Sequence, residues 1–244
     1  MTAPKEAPVI SYGEHADIIL ATARRASDSP PSDQVVVTCH RDGLKLERTG
    51  PWDTLGFRGT CSKGYRLHAE GDGEAVLSAP YAQISGQTML PVSHILWASA
   101  WLGLAEAAMD RSRRFVQAAA RSKPAGAVPS SATRLAAVLP RLHQLRALVQ
   151  GALVRWDALR QQGKSVLFQP ASVVEFNNLK VSASTLLVEI VSEAMTICGI
   201  AGYRSEGPYS IARLLRDAYG ASLMVNNDRI SQNSAGLLLV EKSV

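Results

Sequence analysis

The chain has 244 residues, 46% of them hydrophobic and 19% charged, with a formal charge of +5. That length holds one large domain or two small ones, and that composition excludes a disordered chain. The basic excess is mild and its arginines are spread out, which fits solvated helix faces better than a nucleic-acid surface and remains compatible with a phosphate-bearing ligand.

The first third reads as strands. VISYG (9–13), ADIILATARR (16–25), SDQVVVTCHRDGLKLERTG (32–50) and GYRLHAEG (64–71) are β-branched runs broken by Gly, Asp, Pro and Ser. The prolines of SDSPPSD (27–33) mark a loop, and Asp42-Gly43 is a hairpin turn signal. From residue 91 onward the apolar spacing is helical. Positions 95, 96, 98, 102, 105, 108 and 109 share a face, and Pro124 and Pro129 bracket a break. Further helices are expected over about 132–161, stopping near Gly163, and over about 170–198, stopping at Gly199. A short helix follows Pro208, and a last one starts near Asn227 or Asp228, either a plausible N-cap. Long amphipathic helices with short connections predict an antiparallel bundle. Cys39, Cys61 and Cys198 form no CxxC pair, and their odd number is a poor disulfide framework, so a reducing, cytoplasmic setting is expected. The opening MTAPKEAPVI has no positive segment followed by an apolar core, so no secretion signal is expected. Apolar runs such as TLLVEIV (185–191) carry charge and fall short of the ~20 residues that span a bilayer, so no membrane partner is expected.

The order WDTLGFRGTCSKGYRL (52–67), GLAEAAMDRSRRF (103–115), ICGIAGY…RLLRDA (197–218) resembles the acyl-CoA dehydrogenase family. The first stretch is similar to its middle-domain strand pattern LG-x-R-x-T-x-S, the last to the bundle signature GGxGY…RDA. The resemblance implies an α+β fold: a partial antiparallel β-barrel over 7–85, then an antiparallel four-helix bundle over 88–244. It covers nearly the whole chain, but the chain covers only part of the family and begins inside the middle β domain. An N-terminal helical domain and an earlier loop that holds flavin are therefore expected from a complementing acyl-CoA dehydrogenase-like subunit, or are lost by truncation.

The family chemistry is α,β-dehydrogenation of an acyl thioester with FAD, which requires a carboxylate against the substrate α-carbon. Matched from RDA, that carboxylate would stand nine residues after Arg216, where this chain has Val225; no acidic residue lies between Asp217 and Asp228. A second family location corresponds to Ser93 and His94, again without a carboxylate, and His94 is expected to be a satisfied or capping residue. No catalytic residue and no metal ligand is assigned. For FAD, the resemblance points to Ser11, standing for a threonine that bonds the flavin edge, and to Thr196, Gly199 and Gly202 in TICGIAG. It also points to Asn227, in place of a threonine that touches the phosphates. Val9 replaces a stacking tryptophan, Ile200 replaces a glycine whose positive φ a β-branched residue cannot take, and Arg216 and Asp217 are assigned to structure. Three functions follow: a flavoprotein subunit that shares FAD and self-associates through its bundle, a non-catalytic scaffold, or a related flavin enzyme acting on a carrier-bound thioester.

Overall fold

The computed structural model describes residues 3–124 and 126–239, and divides the chain into two compact units, 1–86 and 87–244.

The first unit is built from five strands: β1 (Ala3–Ile10), β2 (Ile18–Arg24), β3 (Gln34–His40), β4 (Leu44–Gly50) and β5 (Lys63–Ala69). They form two antiparallel sheets, β1-β5-β4 and β2-β3, and do not close into a barrel. The β-branched run Val35-Val36-Val37 supplies β3, and Ile19, Cys39 and Leu67 pack as a small core, with Val36 and Tyr65 also buried. Asp42-Gly43 does not make the expected hairpin. Residues Arg41–Gly43 form one tight turn that carries the chain from β3 in one sheet to β4 in the other. Gly43 is needed there because a Cβ would lie 2.4 Å from the Glu70 carbonyl oxygen. The stretch 52–62, similar to a family strand pattern, is a loop with a short turn at Arg58–Thr60, and β5 starts only at Lys63.

A short helix, α1 (Tyr81–Ile84), and a wide turn over 85–89 end this unit and open the next. The second unit contains α2 (Leu90–Arg121), α3 (Ser130–Gln162), α4 (Lys164–Leu167), α5 (Pro170–Cys198), α6 (Ile200–Tyr203), α7 (Ala212–Leu223) and α8 (Asn227–Leu238). The helix ends follow local chemistry. Pro91 and Pro170 occupy first-turn positions, where a missing N–H is harmless. Gly163 (φ 116°) ends α3 and Gly199 (φ 55°) ends α5. α5 is the central helix, packed by α2, α3, α7 and α8, and Phe176, Leu187, Ile190, Val191 and Ala194 are fully buried on it. On α3, Arg141, Arg146 and Arg155 pair with Glu189, Glu106 and Glu175. By length and composition alone, the segment Tyr81–Arg121 and α5 are long and apolar enough to cross a membrane, which revises the reading that the apolar runs are too short. In the fold, their apolar residues form the bundle core.

Candidate functional site

In the β unit the residue singled out by sequence is Ser11, exposed in the turn after β1. The Tyr12 N–H donates to the Thr60 carbonyl at 3.1 Å, and its hydroxyl to the Gly59 carbonyl at 2.8 Å, so this turn is tied to the 52–62 loop. That loop is wound around one oxygen. The Phe57 carbonyl accepts from Trp52 Nε1 (3.0 Å), the Thr60 N–H (3.0 Å) and Thr60 Oγ1 (2.9 Å). Tyr12 (φ 54°), Phe57 (φ 53°) and Cys61 (φ 47°) are left-handed without being glycine. Such backbone costs roughly 1–2 kcal/mol per residue and gathers where a ligand is to be positioned.

A chain of hydroxyls runs through this knot. Ser11 Oγ lies 2.7 Å from Ser62 Oγ, which lies 2.7 Å from Thr60 Oγ1. The Thr60 proton goes to Phe57, so Ser62 donates to Thr60 and Ser11 donates to Ser62. In this arrangement Ser11 offers a ligand its lone pairs. Donating outward, as a flavin-edge contact from its hydroxyl requires, breaks one link of the chain.

In the bundle unit, the other four residues lie where α5 ends and where α7 turns into α8. Thr196 is exposed in the last turn of α5, its hydroxyl donating to the Ser192 carbonyl at 3.2 Å. Gly199 takes the left-handed backbone that ends α5, with open space where a Cβ would stand. Ile200 is the first residue of α6 and 71% exposed, so the positive φ belongs to Gly199 and not to position 200. Gly202 is buried, and a Cβ there would meet Cys198 Cβ at 2.7 Å, so its smallness serves the packing of α6 on α5.

Asn227 is turned inward. Its Oδ1 accepts from Lys180 Nζ at 2.6 Å, and its Nδ2 donates to Ser184 Oγ at 3.0 Å. The cap of α8 is therefore Asn226, whose Oδ1 accepts from the Asp228 N–H at 2.9 Å, one residue before the expected cap. Lys180 is fully buried on α5 and also donates to the Ala221 carbonyl at 3.0 Å, near the C-terminus of α7, where a cation is favoured. Its Nζ stands 5.7 Å from the Trp101 ring centroid. Burial without a carboxylate pushes its pKa down to about 8. Sequence reading missed this lysine. The available signal was a lone charge in NNLKVSASTLLV, spaced with Asn177 and Ser184 on one helix face. Asn177 continues the polar seam, its Nδ2 donating to Ser234 Oγ at 3.0 Å.

Between α7 and α8, Val225 (φ 59°) and Asn226 (φ 54°) are both left-handed, and Val225 is 45% exposed. The Ser93 hydroxyl donates to the Leu90 carbonyl at 3.2 Å. His94 is buried, with Nδ1 donating to the Phe176 carbonyl at 3.0 Å and its ring 5.7 Å from that of Trp97. Burial, with a smaller contribution from the charge of Lys180, pushes its pKa down to about 4, so it is a neutral core residue at pH 7.

This bundle corresponds to a known family model, described as acyl-CoA dehydrogenase, C-terminal domain, which matches residues 85–224. The chain belongs to the acyl-CoA dehydrogenase family. Solved structures agree on the fold across both units. Butyryl-CoA dehydrogenase from Megasphaera elsdenii is 21% identical with a TM-score of 0.74, covering 98% of this chain and 60% of its own. Nitroalkane oxidase in complex with spermine is 20% identical at TM-score 0.76, covering 100% and 60%. Dibenzothiophene monooxygenase from Paenibacillus sp. A11-2 is 19% identical at TM-score 0.73, covering 99% and 65%. No curated protein matches the chain in sequence. The chain thus spans about 60% of the length of the acyl-CoA dehydrogenase structure it resembles.

The acyl-CoA dehydrogenase family implies FAD, and this chain's residues fit only fragments of a site for it. Gly202 is closed by Cys198, the Asn227 amide is held by Lys180 and Ser184, and the Ser11 proton is held by Ser62. Thr196 and Gly199 remain open to solvent. Arg216 Nε is buried without a hydrogen-bond partner and is the one orphaned donor of the bundle among the described residues.

Proposed function

We propose that the chain is one subunit of an acyl-CoA dehydrogenase-type flavoprotein acting on an acyl thioester, that it carries no base of its own, and that FAD is shared with a complementing subunit. The observation that carries this reading is the chemistry at the positions where the family resemblance places the proton acceptor. Val225 and Ser93 cannot titrate near neutrality, and His94 is buried with its Nδ1 proton held by the Phe176 carbonyl. An acceptor must reach the α-carbon from a dry, open site with its pKa near the working pH, and none of the three does. The family fold, the open ends at Thr196 and Gly199 and the solvent-facing Ser11 support a chain that contributes edges to a flavin site and leaves the rest to a partner. Cys39 and Cys198 are buried free thiols, which suits a reducing, cytoplasmic setting.

A scaffold role is the second reading, and Asn227 favours it: an amide held by Lys180 and Ser184 has little left for a phosphate. Absorbance spectra after gel filtration separate the two readings. The expected result is a colourless chain alone and a yellow complex with the complementing subunit. Stoichiometric flavin on the chain alone overturns the shared site, and a colourless complex selects the scaffold. With acyl-CoA and a dye acceptor, the isolated chain is expected to be inactive even with FAD added. Val225→Glu is expected to raise dye reduction only when the complementing subunit is present.

A further inference from the structure

α8 is held to the bundle differently from the other long helices. Only Ile230 and Ser234 are buried on it, against fifteen residues on α5, and neither joins the apolar cluster that α2, α3, α5 and α7 share. What binds it to α5 is a polar seam. Asn177 Nδ2 donates to Ser234 Oγ at 3.0 Å and to Asn233 Oδ1 at 3.2 Å. Asn227 Nδ2 donates to Ser184 Oγ at 3.0 Å, and Lys180 Nζ donates to Asn227 Oδ1 at 2.6 Å. Apolar burial is lost outright when water enters, whereas hydrogen bonds are exchanged for bonds to water at a small net cost. A helix seated on polar contacts is therefore among the first parts of a fold to open.

Two features at the N-terminal end of α8 favour opening. Of the three residues that join α7 to α8, Val225 (φ 59°) and Asn226 (φ 54°) both hold left-handed backbone without being glycine, and Val225 is β-branched. The second feature is Lys180. It is fully buried and stands against the first residue of α8, where the helix dipole disfavours a cation. The groups that face its amine are His94 and Trp101 on α2, the Ala221 carbonyl on α7 and Asn227 on α8. Of these only His94 titrates, and with a pKa of about 4 it is neutral wherever the lysine titrates. Opening returns the lysine charge to water and relaxes both left-handed residues.

We propose that α8 is a latch. It swings off α5 as a unit about Val225 and Asn226 while the rest of the bundle stays folded, and protonated Lys180 favours the open position. Opening bares Asn177, Lys180 and Ser184 along α5 and frees the corner at Val225 from the bundle. The direction with pH follows from the lysine. It releases its proton near 8 when covered and near 10.5 in water, so the closed latch tightens as pH rises through that interval. The latch does not depend on whether the chain binds flavin.

The test is native-state hydrogen exchange of the full chain, read by mass spectrometry and normalised to intrinsic rates. At pH 7, peptides of α8 are expected to exchange roughly 100-fold faster than the best-protected peptide of α5. Their protection is expected to rise about tenfold between pH 7 and pH 9 in the parent chain and to stay level in Lys180→Met. Equal protection of α8 and α5 overturns the latch, since α8 then opens only with the whole bundle. Fast exchange of α8 that does not change with pH in the parent overturns the role of Lys180. A second measurement stands even where the variant does not fold: acetylation of the native parent chain by an N-hydroxysuccinimide ester, mapped to Lys180. Lys180 is expected to be modified while the buried Cys198 thiol of α5 still resists iodoacetamide. Modification of Lys180 no sooner than Cys198 overturns the latch.

Discussion

Lys180 and His94 are both buried bases with lowered pKa values, yet they shape stability on opposite sides of neutrality. The unfolded lysine holds its proton up to about 10.5, and the folded one releases it near 8. Between those values the unfolded chain binds more protons, so stability rises with pH; below about 8 a constant penalty of roughly 2–3 kcal/mol remains. Denaturant titrations from about pH 7.5 to about pH 10 should show this rise in the parent chain and lose it in Lys180→Met, read as the difference between the two. The His94 pKa falls from 6.5 to about 4, so stability is intact above about 6.5 and declines by roughly 3 kcal/mol as pH falls to 4. His94→Gln should flatten that acid limb. A surface role for His94 predicts no difference between the variant and the parent in the same titration.

At the scale of elements, the α5–α6 junction and the α7–α8 corner show why glycine and left-handed positions have to be read one at a time. Gly202→Ala drives a Cβ to 2.7 Å from Cys198 Cβ and should cost about 1–3 kcal/mol of stability, as overpacking does. Gly199→Ala meets open space, but its φ 55°, ψ −137° backbone lies outside the left-handed helical well in a region that favours glycine almost alone, and should also cost about 1–3 kcal/mol, through backbone strain instead of packing. Thermal melts of both variants should fall below the parent, and an unchanged Gly199→Ala melt would show that the corner relaxes. Val225 is a β-branched residue at φ 59°, and Val225→Asn, which tolerates that backbone, should stabilise by about 1 kcal/mol. A destabilised Val225→Asn protein in the same melts would show that the corner depends on the valine side chain. Helix limits were legible in advance because they depend on neighbours in sequence: α5 runs from Pro170 to Cys198 and ends at Gly199, and α3 ends before Gly163. The cap at Asn226 was not, because Lys180, 47 residues from Asn227, draws Asn227 inward.

For the whole molecule, the bundle leaves apolar side chains exposed among the described residues. Leu239 is 87% exposed, and Leu186 borders an open groove between α3 and α5 of about 870 Å³ together with Leu148 and Ala152. Ile190, one turn further along α5, is fully buried and belongs to the core. A dimer or larger species is expected by light scattering at micromolar concentration. A monodisperse monomer would argue against the assembly surface, and Leu239→Glu, at an 87% exposed position, should shift the population toward monomer without lowering the melting temperature.

The sequence by itself determined the order of the elements, strands up to Ala69 and long helices from Leu90, because alternation and helical spacing are local. It also carried the family, through motifs that keep their order along the chain, and it put Val225 nine residues after Arg216. Only the tertiary structure decided that β3 and β4 enter different sheets, since a turn such as Asp42-Gly43 reverses or bends the chain but cannot choose the partner strand. The same holds for Ser11 and Asn227. Their chemistry is visible in sequence, but their spare hydrogen-bonding capacity depends on Ser62 and Lys180, side chains 51 and 47 residues away that only folding brings within reach.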